Sequence, residues 1–372
     1  MRNVEALVRG QKLTVTGLGR APGRPSNTKH EIKQRDRLIG NAHLDDEREA
    51  IYRVITKRLI GRTRHPLILI DWSDYTYNRS HILLRASVPV GGRALTLYEE
   101  VHPLKAYGNA AVQRAFLDTL HRFMGPTAQP IVVTDAGFIG PWFTAVRQLG
   151  WHFLGRIRKN LLYRAGNTVS WTRCVELHAK CTAKPRYFGT IELARKQPVQ
   201  CHLHLLKKKP EGRHCKTASG RRAKRKASED HVKRETAPWL IVTSLDPQTY
   251  DAKHVMTLYR TRMQIELAFR DINNTRAGFA LRETRSRSNT RLANLLLVGM
   301  LAHFCLWLIG RFAVERDEHY QLQANTERDH KVLSVFFIAC QLIAYEQLPT
   351  TIHWFPNALT LIRRDIAQQA DL

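Results

Sequence analysis

From about residue 65 the apolar positions gather into short continuous runs bounded by turn residues. Leu67-Ile68-Leu69-Ile70 ends in Asp71 and predicts a buried strand. His81 to Val90 and Ala94 to Glu100, parted by Gly91-Gly92, predict a hairpin. Ala110 to Phe123 has the spacing of a helix. Ile131-Val132-Val133-Thr134 is a second buried run, ending in Asp135, and a helix over Pro141–Gly150 leads to a strand over Trp151–Ile157. Trp239-Leu240-Ile241-Val242-Thr243 restores a core strand, with helices from Tyr250 to about Phe312. The pattern predicts an α/β fold: a mixed sheet flanked by helices.

Other segments break this rhythm. Residues 1–60 are basic and turn-punctuated, with Leu18 to Ser26 separating two helical patterns. The second follows a Ser26/Asn27/Thr28 cap signal; it is expected to turn Lys29, Lys33, Arg35 and Arg37 outward and Ile32 and Leu38 inward. Such helices suit docking on duplex DNA, and a solvated charged face is the plainer reading. Residues 158–237 show short strand-like pieces (Thr190–Leu193, Val199–Leu206) and basic runs at Lys207-Lys208-Lys209 and Arg221 to Lys226. We read them as a β-rich insertion with a basic loop. The division is therefore 1–60 helical and DNA-binding, 61–157 and 238–315 the two parts of a core, 158–237 the insertion, and 316–372 a helical region suited to dimerisation.

Leu292 to Gly310 has nearly the length and apolarity of a membrane span. It holds Asn294 and His303 and has no companion of similar length, so a buried core helix is expected and no membrane association. The opening residues lack a secretory signal. The six cysteines form no C-x-x-C pair; Cys305 and Cys340 read as core residues, and reduced thiols are expected. Cys201, His202, His204, His214 and Cys215 fit no zinc-site spacing. Charge changes the picture most. With 59 Lys+Arg against 32 Asp+Glu the chain carries a formal +27, which calls for a polyanion such as nucleic acid.

The chemistry-bearing residues fit that partner. On one helix Tyr259, Arg262 and Glu266 stack at i, i+3 and i+7, and Arg270 extends the stripe. Arg and Tyr grip phosphate while a carboxylate holds a metal ion. Asp71 and Asp135, each closing a strand-like run, supply two more hard oxygen ligands. Phosphodiester chemistry of this kind uses two Mg²⁺ about 4 Å apart. Singly, an Asp at a strand end is usually a turn-former. Asp74, Glu99 and Glu100 are nearby competitors.

Several blocks recur in order: Arg37 to Leu44 (RLIGNAHL), Asp71-Trp72-Ser73-Asp74, Leu95 to Glu99, Asp135-Ala136-Gly137-Phe138, Tyr259 to Asp271 (YRTRMQIELAFRD) and Gln323-Ala324-Asn325-Thr326. In these the chain resembles the DDE transposases of the bacterial insertion-sequence-four family, the Tyr-x2-Arg-x3-Glu-x6-Lys group, and above all its insertion-sequence-ten-like branch. The resemblance implies a ribonuclease-H-like core interrupted by the β-insertion. It implies Asp71, Asp135 and Glu266 as catalytic acids binding two Mg²⁺, with Mn²⁺ as substitute. Tyr259 and Arg262 match the phosphate-holding signature, and Arg156 and Arg158 match basic residues after the second Asp. Trp239 matches an aromatic that stacks on a flipped base, against its other reading as a strand-start core residue. The implied activity is cut-and-paste transposition through nicking, hairpin formation and strand transfer. The resemblance also implies double-stranded DNA (terminal inverted repeats and target) as the partner, a homodimer formed with it, and a setting in the bacterial cytoplasm and nucleoid.

Two departures stand out: Asn273 replaces the signature Lys, with Arg270 or Arg276 as replacements, and the N-terminus starts late, as if part of an end-recognition region were missing. A metal-dependent nuclease of the same fold and a silent DNA-binding repressor are the alternatives.

Overall fold

In the computed structural model, which describes residues 2–21, 27–74, 80–158, 161–166, 168–207, 237–275, 278–327, 329–346 and 353–370, the apolar run at 67 is a strand longer than the run itself. β1 (Leu67–Asp74) continues three residues beyond Asp71 because Trp72, Ser73 and Asp74 go on pairing with Leu84, Leu83 and Ile82. The expectation that Asp71 closes its strand is therefore corrected. β2 (His81–Pro89) and β3 (Ala94–Pro103) form the predicted hairpin; Gly91 and Gly92 take φ of 65° and 97°, a left-handed region that glycine enters without steric cost. The antiparallel order is β3-β2-β1.

These strands belong to the first of two units, Met1–Pro130 with Thr261–Asp371; Ile131–Arg260 forms the second. The first unit also holds α1 (Arg2–Gly10), α2 (Val15–Gly19), α3 (Thr28–Ile39), α4 (Ala42–Ile60) and α5 (Ala110–Phe123). Asn27, Asn41 and Asn109 cap α3, α4 and α5, each accepting a backbone N–H in its first turn. On α3, Lys29, Lys33 and Arg37 are exposed as expected. Arg35 is not: it is buried and ion-paired with Glu31 one turn back. Ile32 is half-buried against Gly19, whereas Leu38 is exposed and Ile39 takes the inward place expected of Leu38.

The centre of this unit is α9 (Asn289–Glu315), with 89% of its most apolar window buried. A helix apolar all round buries every face, and this one packs against α1, α4, β3, α10 (Val335–Ala344) and α11 (Trp354–Ala370). Two of its polar side chains find partners inside. Asn294 Nδ2 donates to the Ile39 carbonyl at 3.1 Å, and His303 Nε2 accepts from Trp307 Nε1 at 3.2 Å. Burial pushes the His303 imidazole down to about 3, keeping it neutral.

In the second unit seven strands share one sheet: β4 (Ile131–Thr134), β5 (His152–Ile157), β6 (Leu162–Ala165), β7 (Thr172–Arg173), β8 (Arg186–Leu193), β9 (Val199–Leu206) and β10 (Trp239–Thr243). Their order is β4-β5-β10-β9-β8-β6-β7. β4 and β5 are parallel, bridged by α6 (Gly140–Gln148); the other pairings are antiparallel. Gly155 lets α6 approach, since a Cβ there would meet the Phe143 ring at 2.6 Å. Strands β6 to β9, in the stretch expected to be an insertion, thus extend the sheet that β4, β5 and β10 begin. Its basic runs beyond Lys207 lie outside the described residues, as do His214, Cys215 and Arg276. α7 (Ala252–Arg260) completes the unit.

The mixed, helix-flanked α/β class expected from the pattern is the class observed. The five described cysteines are free; Cys174, Cys181, Cys201 and Cys340 are buried and Cys305 partly so. Burial pushes the thiols of Cys174, Cys201 and Cys340 up to about 12.

Candidate active site

The helix expected to carry Tyr259, Arg262 and Glu266 together is two helices. α7 ends at Arg260 and α8 (Met263–Asn273) begins after a turn at Thr261-Arg262. Arg262 keeps helical dihedrals (φ −51°, ψ −32°), but Gln264 and Ile265 bond back only three residues, to the carbonyls of Thr261 and Arg262. The one-face stripe is therefore corrected to two short elements.

In the first unit the break sets Arg262 between two acids. Its Nη2 donates to Glu266 Oε1 at 2.7 Å and its Nη1 reaches Asp71 Oδ2 at 3.4 Å. Asp71 Oδ1 also accepts from the Trp72 backbone N–H at 2.9 Å, which fixes the carboxylate's direction. Asp71 and Arg262 are largely buried and Glu266 is more open, with side chains 13%, 15% and 42% exposed. One guanidinium thus sits on two carboxylates, at a place whose own charge without it is −2.

α8 is held for this arrangement. Gln264 Oε1 accepts from the hairpin-turn N–H groups of Val90 and Gly92 at 3.2 and 3.1 Å. The Arg85 guanidinium lies over the Phe269 ring at 4.7 Å, and Arg93 Nε donates to Asp271 Oδ2 at 2.7 Å. Three contacts along the helix fix Glu266 relative to the hairpin. Sequence reading missed all of them; the signal available was a charged Arg85 inside the apolar run of β2. Glu99 and Glu100, weighed as competing acids, are engaged structurally: Glu99 with Arg85 and Tyr52, Glu100 with Tyr98 and His102.

In the second unit Asp135 follows β4 directly, and its Oδ1 accepts from the Gly137 N–H at 2.7 Å in a tight turn. Arg270 and Arg158 are exposed, on α8 of the first unit and just past β5 of the second. Arg156 Nη2 donates to the Ala237 carbonyl at 3.1 Å, ahead of β10. Trp239 opens β10 half-buried, its ring edge-on to that of Tyr259 at 5.0 Å; Tyr259 is buried. Asn273 is the last residue of α8.

A family model described as a transposase DDE domain matches residues 63–305, about two thirds of the chain and all three acids. The chain belongs to the DDE transposases. No curated protein matches it. As such it is a polynucleotidyl transferase and endonuclease that acts on DNA, in a family that works with divalent metal ions. Within each unit, among the described residues, no three His, Cys, Asp or Glu side chains gather closely enough to hold an ion. The donor chemistry of the transposase nonetheless fits one. Asp71 and Glu266 offer hard oxygens, which Mg²⁺-type ions prefer, and they already share a cation in the Arg262 guanidinium.

Proposed function

We propose that this transposase moves an insertion sequence of the insertion-sequence-four type by cutting at its terminal inverted repeats and joining the freed ends to target DNA. The observation that carries the reading is Arg262 held between Asp71 and Glu266, in a chain whose DDE-domain match also takes in Asp135. Asp71, Asp135 and Glu266 would hold two Mg²⁺ or Mn²⁺ ions. When bound, such ions neutralise the phosphodiester and make the attacking oxygen a stronger nucleophile.

The chain's own groups do the rest. The carboxylates orient the attacking hydroxyl in line with the leaving oxygen. Arg262, drawn off the acids, grips a non-bridging phosphate oxygen, as a guanidinium fork does well. Water attack first nicks the end and releases a 3′-hydroxyl. That hydroxyl attacks the opposite strand to close a hairpin, water reopens it, and the freed 3′-hydroxyl attacks the target. Each step is the same in-line displacement, so one site serves all of them. Trp239 supplies an indole on which an unstacked base at the hairpin can rest, recovering about 1–3 kcal/mol. Tyr259, Arg156 and Arg158 serve the DNA backbone, and two protomers act on paired ends.

The test uses labelled DNA carrying the inverted repeats that flank the reading frame, with supercoiled plasmid as target. Nicked, hairpin and strand-transfer products are expected. Asp135→Ala should lower all three by roughly 10³-fold or more while the gel shift survives. Cleavage without joining would make the protein a nuclease, and retention without cutting a silent binder. Undiminished activity of Asp135→Ala would reject the assignment of the acids.

A further inference from the structure

We propose that a cleft of this transposase, walled by Arg93, Arg270 and Lys331, holds a backbone phosphate of the DNA strand beside the cut. The inference rests on the transposase reading and adds a contact to it. The cleft, about 560 Å³, lies in the first unit. Four segments line it: the β2–β3 turn, the last turns of α8, the loop entering α10, and α9 through Trp307. The first three each bring one cation.

Charge selects the occupant. Among the lining residues three cations face one carboxylate, Asp271, and that carboxylate is engaged by Arg93. Among the described residues neither Arg270 nor Lys331 has an ion-pair partner. Lys331 Nζ donates to the Leu333 carbonyl at 3.0 Å, and its ammonium is held below its ordinary pKa by burial and then by Arg311 and Arg93. Like charges crowd a site that an anion would relieve. The N-terminus of α10, a ten-residue helix capped by Ser334 on the Phe337 N–H, opens into the same cleft with its positive dipole end.

The walls are fixed before any ligand arrives. Gln323 Nε2 donates to the carbonyls of Glu327 and His330 at 2.6 and 3.1 Å, and its Oε1 accepts from the Val332 N–H at 3.4 Å. One side chain thereby shapes the loop that presents Lys331. Gln264 does the same for the hairpin turn that presents Arg93.

Position selects which phosphate. Arg270 lies one turn beyond Glu266 on α8, about 6 Å along the axis. Phosphates of one strand advance about 3.4 Å per nucleotide along a duplex. A strand running along α8 would therefore meet the cleft within about two nucleotides of Glu266.

The experiment follows binding of a fluorescent 40-base-pair duplex by anisotropy across a series of salt concentrations. It compares wild type, Lys331→Gln, Arg270→Gln, the double variant, and Lys105→Gln, an exposed control that removes one charge as each single variant does. Neutralising one phosphate contributes about 0.9 to the slope of log affinity against log salt. The double variant should lose about that much slope and bind roughly eightfold more weakly near 0.1 M salt. Because both cations serve one phosphate, the double should be little worse than the weaker-binding single, and Lys331→Arg should keep the wild-type slope. A double variant that melts like wild type yet matches Lys105→Gln in slope and affinity overturns the proposal and leaves the transposase reading standing. Wild-type protein that fails to hold the duplex at all overturns that reading, and the cleft with it.

Discussion

Arg85 and Glu99 face each other across β2 and β3 with side chains 1% exposed, joined by a 2.7 Å hydrogen bond from Arg85 Nε. Tyr52 donates to the other carboxylate oxygen at 2.9 Å; burial first, then the Glu99 charge, holds its phenol well above the ordinary value. Breaking a buried pair from one side leaves an uncompensated charge. Glu99→Ala should therefore cost about 3–5 kcal/mol of unfolding free energy, read by urea denaturation, whereas Arg85→Met with Glu99→Leu should cost much less. Equal losses would mean that the pair is held by solvent rather than by burial. The Arg85 guanidinium also rests on Phe269, three residues past Glu266, so the single variant should slow DNA cleavage more than its stability loss explains.

Helix against helix, α9 and α10 meet at Gly310. A Cβ there would come within 2.1 Å of the Val335 carbonyl oxygen, so only glycine permits this approach. Behind it lie Ala313, Ile338 and Leu342, with Ile309, Val314 and Leu333 closing around them. Gly310→Ala should lower the denaturation midpoint, through an overpacking cost of about 1–3 kcal/mol. An unchanged midpoint would mean that the two helices slide freely. The elements most legible in the sequence were the strands buried on both faces, because nothing polar interrupts their apolar runs. The end of β1 was not legible: Trp72-Ser73-Asp74 looks like a turn until pairing with β2 is known. Nor was the break between α7 and α8, where no Gly or Pro stands and where Arg262 reaches an acid 191 residues away. The acids were visible as residue types at strand and helix positions. The guanidinium between two of them was not, because only tertiary structure supplies the contact.

At the level of the whole molecule, a formal +27 spread over 372 residues makes every DNA measurement a salt measurement, and binding constants have meaning only with the ionic strength attached. The two units also carry built-in chemical clocks. Cys174 and Cys201 lie in the second unit and Cys340 in the first, each with a thiol near 12 and hence almost no thiolate at pH 8. Iodoacetamide should alkylate them roughly 10³-fold more slowly in the native protein than in denaturant. Peptide mapping by mass spectrometry reads each sulfur separately, and rapid native labelling of Cys174 would contradict its burial. Along a urea series the order in which these sulfurs become reactive tells which half of the molecule opens first, with no dye or tag added to a surface meant for DNA.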